Sequence, residues 1–315
     1  MSESLRLHSV ESRAARQVLH FRGVKYSWSH LRVAALFLAP SLIIFGVFIY
    51  YALGFNIFLS TTSWNFLTPD FPSVGFDNYV RLFNDARFWR ALSNTAVFAV
   101  GTISFSMLFG LLFALMLNEK IPARGVLRTI FFTPYVTTTA AVALLWVWIF
   151  DPRYGLVNAA LAMFGIEGPR WLTDQNWSMS ALIIMNVWKT LGYTMVIYLS
   201  GLQAIPRDLL EAAKIDGAGR WTMFRYITFP LLSPTTFFIL VTTLLSAFQV
   251  FDQVAIMTQG GPVGSTSVLN FYVYEQAFVN LRAGYAATIS TIFFIILLSI
   301  TIIQVRLSRR WVHYQ

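Results

Sequence analysis

Residues Ile205 to Pro234, IPRDLLEAAKIDGAGRWTMFRYITFPLLSP, decide how the rest of this chain is read. Outside the N-terminal arm, this is the longest polar interruption between apolar segments that carries clear helical signals. Pro206 suits the first turn of a helix, where a missing N–H costs nothing. Leu209, Ala212 and Ala213 recur at helical spacing and predict one apolar stripe, surrounded by Arg207, Asp208, Glu211 and Lys214. Gly217 and Gly219 then break the helix, because glycine tolerates the backbone angles of a sharp turn. A second short amphipathic run starts at Trp221, and Pro230 and Pro234 close it. Two short helices joined by a glycine hinge, set between long apolar segments, predict a knob that projects from a membrane and docks.

The composition agrees with a membrane setting. Of 315 residues, 57% are hydrophobic and 12% charged, with a mean hydropathy of +0.61, which places the chain among integral membrane proteins. The 29 Phe, 13 Tyr and 10 Trp are enough for aromatic belts at both interfaces. A net charge of +9 in a soluble protein would suggest nucleic acid. Here the basic residues flank apolar runs, so orientation and anionic membrane lipid account for them and no nucleic-acid partner is expected. The absence of cysteine excludes disulfides, Fe–S clusters and thiolate zinc sites. His8, His20, His30 and His313 all lie in the terminal arms, so no span carries a histidine proton relay.

Residues 1–32 form a basic arm. Within it Leu7, Val10, Ala14, Val18 and Phe21 fall roughly on one helical face, which leaves open a helix lying on the cytoplasmic leaflet or a disordered tail. The apolar run Val33–Leu59 is 27 residues long, too long for a signal-peptide core, and lacks a small-residue cleavage site. It reads as a retained span. Five further spans are expected at about Thr95–Leu117, Ile130–Phe150, Ser180–Leu202, Thr235–Thr258 and Tyr285–Val305, each matched to ~30 Å of hydrocarbon. Pro40 and Pro134 are expected to bend two of them. The domain plan is an arm at 1–32, a six-helix membrane domain at 33–310 with the docking loop at 205–234, and a tail at 311–315. With the N-terminus inside, 16 Lys and Arg face the cytoplasm and six face out, the distribution that orients membrane proteins. Both termini and the 205–234 loop are therefore expected in the cytoplasm.

The docking loop also carries a family resemblance. Glu211-Ala212-Ala213, Gly217, Ile227 and Pro230 stand at the spacing of the EAA motif of bacterial ATP-binding-cassette importer permeases, with Phe229 where the pattern has Leu. The wording around it, Gly201-Leu202-Gln203 and Ile215-Asp216-Gly217-Ala218, resembles the sugar-importing branch of maltose and glycerol-phosphate permeases. Outer-loop stretches such as Val74-Gly75-Phe76-Asp77-Asn78-Tyr79, Tyr154-Gly155-Leu156-Val157-Asn158 and Gln259-Gly260-Gly261-Pro262 extend the resemblance from about Leu36 to Arg310. The resemblance implies an all-α, six-helix, type I importer permease (MetI-like) fold in the bacterial cytoplasmic membrane. It implies a second homologous permease, two ATP-binding subunits, an extracytoplasmic solute-binding protein and a sugar or polyol substrate. Glu211, Ala212, Ala213, Asp216, Gly217 and Arg220 would then contact the ATPase.

Neither a phosphate-binding G-x-x-x-x-G-K-[ST] loop nor an H-E-x-x-H zinc motif occurs in the sequence. No catalytic residue, metal ligand or cofactor is assigned to this chain, and ATP and Mg belong to the ATPase the resemblance implies. Charge inside a span marks a functional site or a buried pair. Lys189 and Asp252 fall about 14 Å and 9 Å inside their spans at 1.5 Å per residue, close enough in depth to pair or to share a polar cavity. Asn186, Trp188, Tyr193, Gln249, Phe251 and Gln253 cluster at similar depth. Planar hydrogen-bonding groups with aromatic faces suit a sugar, and the same residues also suit helix–helix contacts. An ion-coupled carrier using Lys189 and Asp252 is the competing reading.

Overall fold

The computed structural model describes residues 18–21, 24–119 and 122–311. The chain falls into two compact units that part between Phe58 and Leu59.

The first unit opens with a hairpin of β1 (Val18–Phe21) and β2 (Val24–Ser27), antiparallel with Val18 opposite Ser27. Val18 and Phe21, expected on a helical face, therefore belong to a strand. Val18, Phe21, Val24 and Tyr26 are β-branched or aromatic and fit a pleated surface better than a helix. Leu7, Val10 and Ala14 lie outside the described residues. β2 runs directly into α1 (Trp28–Phe45), which contains Pro40. A π-helical turn at Gly46–Tyr51 leads into α2 (Ala52–Ser60), whose last two residues belong to the second unit, and together they give a continuous apolar helix over Arg32–Ser60.

The second unit holds α3 (Asp77–Phe83), α4 (Ala86–Asn118), α5 (Arg124–Val136), α6 (Thr139–Ile149), α7 (Leu156–Ala162) and α8 (Ser178–Ala204). It continues with α9 (Arg207–Ile215), α10 (Arg220–Met223), α11 (Phe229–Leu231), α12 (Ser233–Phe248), α13 (Leu269–Tyr274) and α14 (Ala283–Trp311). With the first-unit helix, α4, α8 and α14 are long and apolar enough to cross a membrane unbroken. Two further helix pairs reach that length and apolarity only together, each with a sharp bend: α5 with α6 at 100°, and the Arg220–Leu231 segment with α12 at 61°.

The expected third span, Ile130–Phe150, is therefore not one rod. Pro134 sits inside α5, and the break falls after it, where Thr137 and Thr138 adopt extended ψ values of 145° and 135°. The expected fifth span, Thr235–Thr258, is also interrupted. α12 ends at Phe248, residues 249–251 are non-helical, and a π-helical segment resumes over Val254–Thr258.

α4 and α8 are the central packed pair. Small residues let them approach: a Cβ on Gly110 would collide with Thr194, and one on Gly101 would meet Ile183 Cδ1 at 2.8 Å. Close approach of this kind replaces the hydrophobic drive that lipid removes. Two apolar clusters flank the pair. One gathers Ala91, Phe98, Leu182 and Met185 with Trp146, Phe150, Tyr272 and Ile289. The other, at the docking-loop end, gathers Ala114, Leu117, Met195, Tyr198, Leu199, Leu202 and Ile239. Between these clusters, polar groups meet across the two helices: Thr102 and Ser106 on α4 with Asn186, Thr190 and Thr194 on α8.

Candidate functional site

The docking loop forms as two short helices. α9 ends in a Schellman cap: the Ala218 N–H donates to the Ala213 carbonyl at 2.9 Å and the Gly217 N–H to the Lys214 carbonyl at 3.1 Å. Gly217 closes the cap at φ +81°, and a Cβ there would meet nothing within 4 Å. Glycine is needed at 217 for its backbone angle, whereas neighbouring atoms leave room for a side chain.

The apolar stripe differs in phase from its sequence expectation. Ala213 is buried and Leu210 packs on the second cluster, while Leu209 and Ala212 are exposed. Positions 210 and 213 lie one turn apart and face the helical body, so 209 and 212 turn outward. Glu211, Asp216, Gly217 and Arg220 are exposed beside them. Ile215, Trp221 and Tyr226 add large apolar side chains, with 86%, 70% and 70% of their surfaces open. Their outward aim was not legible from the composition of the loop, though the i, i+3 spacing of Leu210 and Ala213 carries the phase.

In the polar middle of α4 and α8, Gln253 Nε2 donates to Asn186 Oδ1 at 3.1 Å, and Asn186 Nδ2 lies 3.5 Å from Thr102 Oγ1. Ser106 and Thr190 hydroxyls meet at 2.8 Å, and the Thr194 hydroxyl donates to the Ser106 carbonyl at 3.0 Å. Tyr193 donates to Thr242 at 3.2 Å and stacks on Tyr135 with ring centroids 4.8 Å apart. Trp188 meets Trp146 edge-on at 5.6 Å.

Lys189 and Asp252 do not close an ion pair. The buried Lys189 ammonium donates to the Tyr135 carbonyl at 3.1 Å and lies 5.6 Å from the Tyr135 ring centroid. In an unbroken helix that carbonyl would accept from Thr139, so the break at Thr137–Thr138 supplies the partner Lys189 takes. Asp252 is exposed, as is Gln249, and Phe251 is half-buried against Tyr274, with ring centroids 5.3 Å apart. These three residues sit at or beside the non-helical stretch 249–251. Unwound backbone at membrane depth persists where protein buries it or where it lines a water-filled space. The candidates thus divide into Asn186, Lys189, Tyr193 and Gln253, which bond to neighbours, and Trp188, Gln249, Phe251 and Asp252, which present surface.

At the opposite end from the docking loop, polar groups clasp the loops to the helices. Asn78 Nδ2 donates to the Ser60 and Thr62 carbonyls at 3.0 and 2.8 Å. Asn94 Nδ2 holds the Gly264 and Ser267 carbonyls, each at 2.9 Å. Trp171 Nε1 donates to Asn158 Oδ1 at 2.7 Å. Tyr272 and Tyr285 both donate to Asp85 Oδ2, at 2.5 and 2.6 Å, and Arg87 pairs with Glu275 at 2.6 Å.

Residues 106–313, which hold the docking loop, much of the polar middle and the last loop, match the family described as the binding-protein-dependent transport system inner membrane component. The chain belongs to this family. A probable ABC transporter permease of Pyrococcus horikoshii is 35% identical over 85% of this chain and 92% of its own length. The trehalose/maltose transport system permease MalF of Thermococcus litoralis is 34% identical over 90% of this chain and 96% of its own. Among solved structures, a bacterial alginate ABC transporter in complex with an alginate pentasaccharide-bound periplasmic protein is similar at TM-score 0.76. It shares 28% identity over 88% of this chain and 94% of that one. The permease is therefore a membrane subunit of an ABC transporter, and the reading as a stand-alone ion-coupled carrier is set aside.

Proposed function

We propose that the permease forms the membrane path of an ATP-driven importer for a sugar or related polyol or oligosaccharide, coupled to a separate ATPase through the 205–234 loop. The outward face of that loop carries the proposal. Glu211, Ala212, Asp216, Gly217 and Arg220 share it with Ile215 and Trp221, and so much exposed apolar surface on a small charged knob suits a protein partner. ATP and Mg would be held by two ATP-binding subunits. Closure of their dimer would draw this knob toward its counterpart on a second, homologous permease and open the path outward. A solute-binding protein would dock on the clasped loops at the other end, in the manner the alginate complex suggests.

For the substrate, the maltose and alginate names of similar proteins favour a carbohydrate. Gln249, Phe251, Asp252 and Trp188 are the path residues in this reading, with Asn186, Lys189, Tyr193 and Gln253 behind them. Aromatic faces would cover the apolar side of a pyranose, and the amide and carboxylate would take its hydroxyls.

Ala212→Trp tests the coupling. Ala212 is exposed, so the larger side chain leaves the permease's own packing intact while obstructing the docked surface. ATP-dependent uptake by the assembled transporter in vesicles is expected to fall at least roughly tenfold, as about 1.4 kcal/mol of lost docking gives. Normal membrane levels with normal coupled uptake would overturn the assignment.

A further inference from the structure

α5 begins with two arginines one helical turn apart, Arg124 and Arg128. Their guanidinium groups converge on a single neutral partner. With the Gln203 amide assigned so that its oxygen faces them, as the two donors require, that oxygen accepts from Arg124 and from Arg128, the latter at 3.0 Å. The Nε of each arginine is buried without a hydrogen-bond partner. Among the described residues the one ion pair is Arg87–Glu275, so neither α5 arginine faces a carboxylate there. Two like charges with buried, unspent donors call for an anion that the chain does not supply.

The shape beside them restricts what that anion is. Arg128 stands at the mouth of a groove of about 540 Å³ lined by Thr129, Phe132, Thr133, Val136, Thr137 and Val196. The threonines do not make it polar. Thr129, Thr133 and Thr137 donate their hydroxyl protons to the carbonyls four residues back, at 3.1, 2.7 and 3.0 Å. What faces the groove is methyl, phenyl and isopropyl. From Arg128 to Thr137 the helix rises about 13 Å, close to one leaflet's share of the ~30 Å hydrocarbon layer. Basic groups at one end and an apolar channel one leaflet long behind them match the two parts of an anionic phospholipid.

We propose that Arg124 and Arg128 bind the phosphate of an anionic phospholipid whose acyl chain lies along α5 in this groove. A guanidinium fork grips phosphate oxygens in pairs, which suits both arginines. Gln203 lies in the last turn of α8, the helix that leads into the docking loop, so the site stands at the docking-loop end of the bundle. The proposal depends on the chain's membrane setting and is independent of the coupling and substrate readings.

The test is native mass spectrometry of the purified permease, held in mild detergent with phosphatidylglycerol or phosphatidylcholine of identical chains. Preferential retention of phosphatidylglycerol is expected, by roughly tenfold. Arg124→Gln with Arg128→Gln should bring it to the phosphatidylcholine level, and the double lysine variant should keep part of the preference. Val196→Trp, which fills the groove and leaves the arginines, should also lose the lipid, and it serves if the glutamine pair fails to fold. Excess inorganic phosphate should not displace the lipid, because it offers nothing to the groove. Equal retention of both lipids by the unmodified permease would overturn the site, as would full retention by the Trp variant or displacement by phosphate alone. Loss of copurification with the second permease in the glutamine variant, with lipid retention unchanged, would assign the groove to a subunit contact instead.

Discussion

Asp85 caps the N-terminus of α4 and takes both the Tyr272 and Tyr285 hydroxyls on one oxygen, tying the α3–α4 turn to the last loop and the last helix. Burial pushes its carboxyl up. The hydrogen bonds from Tyr272, Tyr285 and the Arg87 and Phe88 amides outweigh that and hold it below its ordinary 3.8. Tyr272 is pushed above the ordinary tyrosine range by burial and by the carboxylate it serves. Because the folded carboxyl ionises more readily than the unfolded one, its stabilisation is complete above the ordinary carboxylate range. It disappears as pH falls through the folded value. Asp85→Ala should destabilise the purified permease by about 2 kcal/mol, the range of charge-assisted hydrogen bonds discounted for partial exposure. Thermal unfolding against pH should show the difference between the two proteins shrinking as the medium is acidified below about pH 4. A difference that stays constant to lower pH would assign the cost to lost packing. The sequence does not disclose this clasp, because its acceptor and its two donors are about 190 positions apart in the chain.

Among the elements, the bent α5–α6 pair departs furthest from what periodicity predicts. An apolar run from Ile130 to Phe150 reads as one rod, since hydropathy records burial in lipid and carries no angle. Pro134 announces a disturbance but not its size. The 100° turn depends on extended backbone at two threonines and on Lys189 reaching across from α8 to the Tyr135 carbonyl. Gly192, one turn beyond Lys189, lets the backbones touch there, because a Cβ would fall on the Phe131 carbonyl. The docking-loop helices, by contrast, were legible from Pro206, Gly217 and the flanking charges, and only their rotational phase was not. Lys189→Met should cost about 1–2 kcal/mol by leaving the freed carbonyl without its charged donor. A buried Lys189–Asp252 pair would behave differently, since removing the second charge would then restore stability. The expectation is that Asp252→Leu does not rescue Lys189→Met. Thermal midpoints of the two single variants and the double variant decide this, and a double variant more stable than Lys189→Met would reinstate the pair.

For the whole molecule, two independent features divide the ends of the bundle. The positive-inside count predicts the 205–234 loop in the cytoplasm, and hydrogen bonds group residues at the two ends. Gln203, Arg124 and the docking helices share one end. Asn78, Asp85, Asn158, Trp171 and the 259–282 loop are clasped into polar networks at the other. The sequence count assigns 16 of the 23 basic residues to the cytoplasmic side. The expected topology requires each bent pair to enter on one side of the membrane and leave on the other. A periplasmic-active reporter fused near Asn78, Trp171 or Pro262 should therefore work, and one near Arg124 or Asp216 should not. The site near Trp171 is the most discriminating. If the α5–α6 pair were a re-entrant loop that returns to its starting side, Trp171 would lie in the cytoplasm and its fusion would be silent, while the Asn78 fusion stayed active. Every later site would then invert, and the docking loop would face away from any cytoplasmic ATPase. An active Trp171 fusion with a silent Asp216 fusion is thus the result that a six-crossing chain requires.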